Sequence, residues 1–148
     1  METIRDIGDG CKPAVVQLER WISALRARDF DVLEDVLAPE FQFTVDPKFG
    51  GGRMDKATYV LFNRKIKSIS IDLFHVTARK MGEIVTALAF GDVAEEFEGE
   101  LPPGMPSASE MGRIINNARL EYGMGWRQSE DGNWRCVSHH VFGFIQDR

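Results

Sequence analysis

The chain has 148 residues, 43% of them hydrophobic and 28% charged, with a formal net charge of −5. That length and balance fit one domain with a buried core. The acidic surplus argues against nucleic acid or an anionic membrane as the main partner, because both attract a basic face.

Residues 1–12 are polar and contain glycine, and they read as a loose lead-in to a single domain over residues 13–148. They lack the apolar core of a signal peptide, and no run is long enough to cross a bilayer, so the expectation is a cytoplasmic protein. Cys11 and Cys136 are far apart with no ligand spacing, and they read as two free thiols. Pro13 suits the first turn of a helix in which Val15, Leu18, Ile22 and Leu25 repeat at helical spacing with Trp21 beside them. Asp29 caps a second, shorter helix carrying Phe30, Leu33 and Leu37 on one stripe. Pro39 disfavours helix at Ala38, and a strand follows with Phe41, Phe43 and Val45 on one face and Gln42, Thr44 and Asp46 on the other.

After Asp46-Pro47 a glycine triplet makes a flexible connection; it lacks the lysine and hydroxyl ending of a phosphate loop. Asp55 caps a third helix to about residue 67, with Tyr59, Phe62 and Ile66 on one side, and Arg64, Lys65 and Lys67 read as its solvated end. Strands are predicted over residues 69–80 and 84–97, joined by a turn at Met81-Gly82-Glu83. Residues 98–112, rich in proline and glycine, read as a long loop that would serve either as a cover for a cavity mouth or as a plain connector. Strands resume over residues 113–128 and 134–145 around an Asp131-Gly132 turn. Alternation on the last strand puts Trp134, Cys136, Ser138, His140, Phe142 and Phe144 together, with Val137, His139 and Val141 opposite. The order α-α-β-α-β-β-β-β, with long strands able to curl around a helix, is an α+β arrangement.

Val15-Val16-Gln17, Ala24-Leu25 followed by Asp29-Phe30-Asp31, Asp46-Pro47, and Asp131-Gly132-Asn133-Trp134-Arg135 with His140 and Phe142-Gly143 beyond make the chain resemble the nuclear transport factor 2-like superfamily. The resemblance is nearest to its SnoaL-like and ketosteroid isomerase-like branch and covers roughly residues 13–145. It implies a cone-shaped, curved, mostly antiparallel sheet wrapped around the N-terminal helices, the cystatin-like α+β barrel. It also implies a homodimer. Asp46 matches the isomerase's general base, and His140 resembles the strand histidine that shares a pocket with a carboxylate in the cyclases and dehydratases. Trp21 stands where the isomerase has an oxyanion-donating tyrosine, and Met124 or Gly125 stands where it has a protonated aspartate. That departure argues against a steroid isomerase.

The candidate site is therefore Asp46 and His140 as catalytic residues, with Trp21, Tyr122, Met124, Trp126 and Phe142 lining a pocket. Asp46 has a bland reading as a turn residue before proline, and His140 has one as a satisfied core histidine. His75 lies on a strand whose alternation does not decide its side, and its grouping with His139, His140 and Asp46 lacks metal-ligand spacing. Three functions stay open. One is a cofactor-independent isomerase, dehydratase or cyclase acting by acid–base chemistry on a small apolar carbonyl compound. The others are a binding module for a small hydrophobic or aromatic molecule, and a dimeric interaction domain using the outer sheet face around Val137 and Val141.

Overall fold

The computed structural model describes residues 4–49, 51–97, 99–101, 107, 109–110 and 118–145. In chain order the elements are β1 (Ile4–Ile7), α1 (Lys12–Ala27), α2 (Phe30–Val36), β2 (Leu37–Val45), a short 3-10 turn (Pro47–Phe49), β3 (Arg53–Asp55), α3 (Lys56–Arg64), β4 (Ile66–Met81), β5 (Ile84–Phe97), β6 (Ala118–Gln128) and β7 (Trp134–Ile145). The described strands form one mixed sheet ordered β1-β4-β5-β6-β7-β2-β3. Its four neighbouring pairs from β4 to β7 and between β2 and β3 are antiparallel, while β1 on β4 and β2 on β7 are parallel.

The helix signals act as expected from their chemistry. Asp29 accepts from the Val32 N–H at 3.2 Å and Asp55 from the Thr58 N–H at 2.9 Å, so each helix start has one orphan donor satisfied. Helix α1 buries Ala14, Val15, Leu18, Trp21, Ile22, Ala24 and Leu25 against the concave side of the sheet. It ends at Arg28, which takes a left-handed conformation (φ 56°). The Arg28 guanidinium donates to the carbonyls of Ile66 and Arg64, tying this corner to the end of α3.

Two pieces were not visible as elements in the sequence. Ile4–Ile7, inside the expected lead-in, forms an edge strand on β4, held by the Asp6–Arg79 ion pair. Residues Arg53–Asp55, inside the expected connection, pair with β2. Of the loop at residues 98–112, most lies outside the described residues, and so does the expectation that it covers a cavity.

The register of β7 decides which side chains face inward. Opposite β6, Cys136 pairs with Trp126 but Ser138 with Gly125, so Val137 is an extra residue; Phe142 is a second, between Val141 opposite Tyr122 and Gly143 opposite Glu121. Each bulge advances the side-chain phase by one residue. Cys136, His139 and Val141 are consequently buried, and Ser138 and Phe142 are exposed. The continuous alternation expected along this strand is thereby corrected: His139 and Val141 turn inward, while His140 and Phe142 turn outward.

Candidate functional site

Inside the concave sheet, a cavity of about 90 Å³ lies between α1, α3 and strands β2, β4, β5, β6 and β7. Most of its wall is apolar: Leu25, Val45, Met54, Ile69, Ile71 and Leu120 contribute, and the aromatic rings of Trp21, Phe43, Tyr59, Phe62 and Tyr122 make up much of the rest. Five polar side chains with chemistry to offer reach it, namely Glu95 from β5, Tyr122 from β6, His139 from β7, and Tyr59 and Asn63 from α3.

Glu95 follows Val85, Ala87, Ala89 and Val93 in the inward phase of β5. The residue is partly buried, but its Oε2 is shut off from solvent and has no hydrogen-bond partner among the described residues. Burial pushes its carboxyl up from 4.5 to about 8, because a charged carboxylate in an apolar cavity loses its hydration without gaining a partner. At neutral pH it is mainly the protonated acid, with a minor ionised fraction.

His139 is 4% exposed and sits among rings: Trp21, Phe43 and Tyr122 lie 5.0–5.3 Å from it, all edge-to-face. Burial lowers its pKa from 6.5 to about 3, with the neighbouring His140 adding to the shift. It is a neutral imidazole at any ordinary pH, and its Nε2 has no hydrogen-bond partner. Burial also raises both tyrosines, and for Tyr122 the proximity of Glu95 and then of Tyr59 adds to it. The Tyr59 hydroxyl takes a hydrogen bond from the Trp21 side chain, and the Asn63 Nδ2 donates to the Tyr59 carbonyl at 2.8 Å. Both phenols stay protonated and are hydrogen-bond donors. The cavity therefore offers a titratable acid, a neutral imidazole and phenolic hydroxyls, in surroundings where a hydrogen bond to a ligand oxygen is strengthened by the lack of water.

Of the residues read from the sequence as pocket-lining, Trp21 and Tyr122 are in the wall. Met124 and Trp126 are buried in the core away from it, Trp126 with its indole N–H unpaired, and Phe142 is 43% exposed on the outer face. The expected catalytic pair is not in the cavity. Asp46 turns its Oδ1 to the Lys48 N–H at 2.9 Å, the turn device that aspartate before proline commonly forms. His140 is on the opposite side of β7 from His139, its Nδ1 2.6 Å from Thr44 Oγ1 and its ring against Phe142. His75 is exposed and bonded to Thr77 Oγ1. Among the described residues, no three His, Cys, Asp or Glu side chains converge as metal ligands would.

No family model and no curated protein matches this sequence. Solved structures do match over most of the chain. An NTF2-like protein from Cytophaga hutchinsonii is 14% identical, with a TM-score of 0.71 over 92% of this chain and 99% of that one. An NTF2-like protein of unknown function in nutrient uptake from Rhodospirillum rubrum is 20% identical, with a TM-score of 0.67 over 86% of this chain and 95% of the other. An uncharacterised protein with a cystatin-like fold from Caulobacter vibrioides is 16% identical, with a TM-score of 0.68 over 91% and 89%.

Proposed function

Since the chain folds as the nuclear transport factor 2-like proteins do, we propose that it is a SnoaL-like pocket protein that performs cofactor-independent acid–base chemistry on a small carbonyl compound. The observation that carries this reading is the buried, unpartnered Glu95 Oε2 sharing one apolar cavity with the unpartnered His139 Nε2. A base works best with a pKa near the working pH, and among the described cavity groups Glu95 is the one held there. In its ionised form it takes a proton from the carbon beside the carbonyl and, as the acid, returns a proton to the same or a conjugated carbon. The neutral His139, as the Nε2–H tautomer, and the Tyr122 hydroxyl donate to the carbonyl oxygen as it gains charge.

The cavity's size limits the substrate. At about 90 Å³ it is smaller than the roughly 150 Å³ cavity that admits benzene, which disfavours steroids and favours short-chain carbonyl compounds. Butan-2-one in deuterium oxide is a suitable probe. The native protein should speed exchange of its α-hydrogens, and Glu95→Gln should abolish at least about a hundredfold of that rate, the usual span of one acid–base group. Exchange that persists at the native rate in Glu95→Gln would remove Glu95 from the mechanism. Tight binding of butan-2-one without exchange would favour the non-catalytic binding module.

Two further proposals concern the setting. The absence of a membrane-length apolar helix among the described residues and the free, buried Cys11 and Cys136 fit a cytoplasmic protein. We also propose a homodimer through the outer sheet face. There Leu88 and Phe142 are 50% and 43% exposed. The Phe142 ring lies over Gly123, where an added Cβ would come within 2.6 Å of it, so the patch is flat and apolar. Leu88→Asp should convert a dimer to a monomer in sedimentation velocity; a native protein that stays monomeric at high micromolar concentration would contradict the interface.

A further inference from the structure

The walls of the cavity carry one ionisable acid and, among the described residues, no lysine or arginine to balance it. The same cavity is lined by the aromatic rings of Trp21, Phe43, Tyr59, Phe62 and Tyr122. A carboxyl group with no counter-ion, enclosed by aromatic rings, is the arrangement that recognises organic ammonium ions. The rings' electron-rich faces attract a cation bearing methyl groups, and the carboxylate supplies the full charge. A ligand carboxylate or phosphate would find no cation among the described wall residues and would be repelled by the ionised form of Glu95.

We infer that the ligand of this cavity carries a positive charge, as a small, methylated ammonium group whose N–H bonds to Glu95 Oε2 while its methyl groups lie against the aromatic walls. This rests on the proposed acid–base reading and narrows its ligand class to short methylated amines small enough for the cavity. It also supplies the counter-ion that Glu95 lacks among the described residues. Glu95 keeps its proton until a cation enters, and the incoming charge then drives it to the ionised form that pairs with the ammonium. The proton leaves Glu95 for bulk solvent, the ammonium retains its own, and no bond to carbon changes in this step.

Among the described cavity residues, no neighbour of Glu95 carries a charge that would ionise it. From α3 comes Tyr59, from β6 Tyr122 and from β7 His139, all neutral at pH 7, while Ile69 opposite it on β4 and Trp21 on α1 carry no charge.

The test uses the intact protein and two molecules of similar shape, trimethylammonium and the uncharged tert-butanol. Calorimetric titration near pH 7 in phosphate and in Tris, whose ionisation heats differ, reads protons released on binding. The expected result is tighter binding of trimethylammonium by at least about tenfold, with release approaching about one proton per molecule bound. Its affinity should rise with pH up to about pH 8 and then level. Glu95→Gln should lose both the preference and the proton release. Should that variant misfold, the native protein's pH dependence and buffer dependence decide alone. Equal or tighter binding of tert-butanol, no measurable binding of the cation, or cation binding without proton release would each overturn the inference. Those outcomes leave the exchange of butan-2-one untouched, so the carbonyl chemistry stands or falls separately.

Discussion

Glu95→Gln should make the protein more stable at pH 8.5 by roughly 3–5 kcal/mol while changing it little at pH 4.5. The reasoning is one of proton binding. The folded carboxyl titrates at about 8 against 4.5 for the ordinary group, so between these values the folded state holds a proton that the unfolded state has released. The Glu95 contribution is whole below pH 4.5, falls by about 1.4 kcal/mol per pH unit through this window, and levels above pH 8. His139 has the opposite sign. Its folded value, about 3, lies below its ordinary 6.5, so its contribution is whole above pH 6.5 and is lost as pH falls towards 3. The two slopes cancel between pH 4.5 and 6.5, which predicts a plateau there with falling stability on either side. Denaturant midpoints at pH 4.5, 6.5 and 8.5 read this directly. Native and Glu95→Gln curves that run parallel across all three would mean that Glu95 is not held neutral by the cavity.

Trp21→Ala should be the most damaging single change in the cavity wall. Trp21 is 3% exposed, and its ring stands edge-on to Tyr122 at 6.4 Å and to His139 at 5.1 Å. Removing it costs the transfer energy of a large aromatic side chain and leaves a void that α1 and the sheet cannot close, about 3–5 kcal/mol together. The same void should widen the ligand range. A ring ketone such as acetophenone, too large for the native cavity, should bind the variant and not the parent. A stability loss of less than about 1 kcal/mol, read from urea midpoints and slopes, would show that Trp21 is not a structural wall of the site.

Much of this fold was legible because its signals are local. Asp29 and Asp55 announce helix starts by the hydrogen bonds they make, and the Met81-Gly82-Glu83 and Asp131-Gly132 turns fix the hairpins. The nuclear transport factor 2-like resemblance, carried in part by Asp29 and Asp131-Gly132, agrees with the fold of the structural neighbours. The candidate site was less legible for a specific reason. Side-chain direction on a strand survives only while the ladder is regular, and β7 is bulged at Val137 and Phe142. The bulge at Val137 turns His139 and Val141 inward and leaves His140 and Phe142 outward, the reverse of the expected alternation. Asp46 illustrates a different limit, since a carboxylate in the sequence of a base can be used up by its own turn.

Glu95 could have been found. From Val85 to Val93 the inward positions of β5 are small or apolar, and Glu95 continues that phase in a strand with no bulge along its own length between them and it. A carboxylate in the inward phase of a central strand is the informative exception to an apolar pattern. Ile4–Ile7 and Arg53–Asp55 were missed because short edge strands are set by their partners, β4 and β2, and carry little pattern of their own.

The central claim is that Glu95 is an uncompensated acid inside the cavity, and its own titration tests that most directly. Carbon-13 resonances of glutamate side-chain carboxyls, with Glu95 assigned by comparison with Glu95→Gln, give its midpoint without any knowledge of the ligand. The midpoint expected is near 8. A Glu95 midpoint near 4.5 would mean that the carboxylate is solvated or paired, and the cavity would lose the group on which both its chemistry and its ligand preference depend.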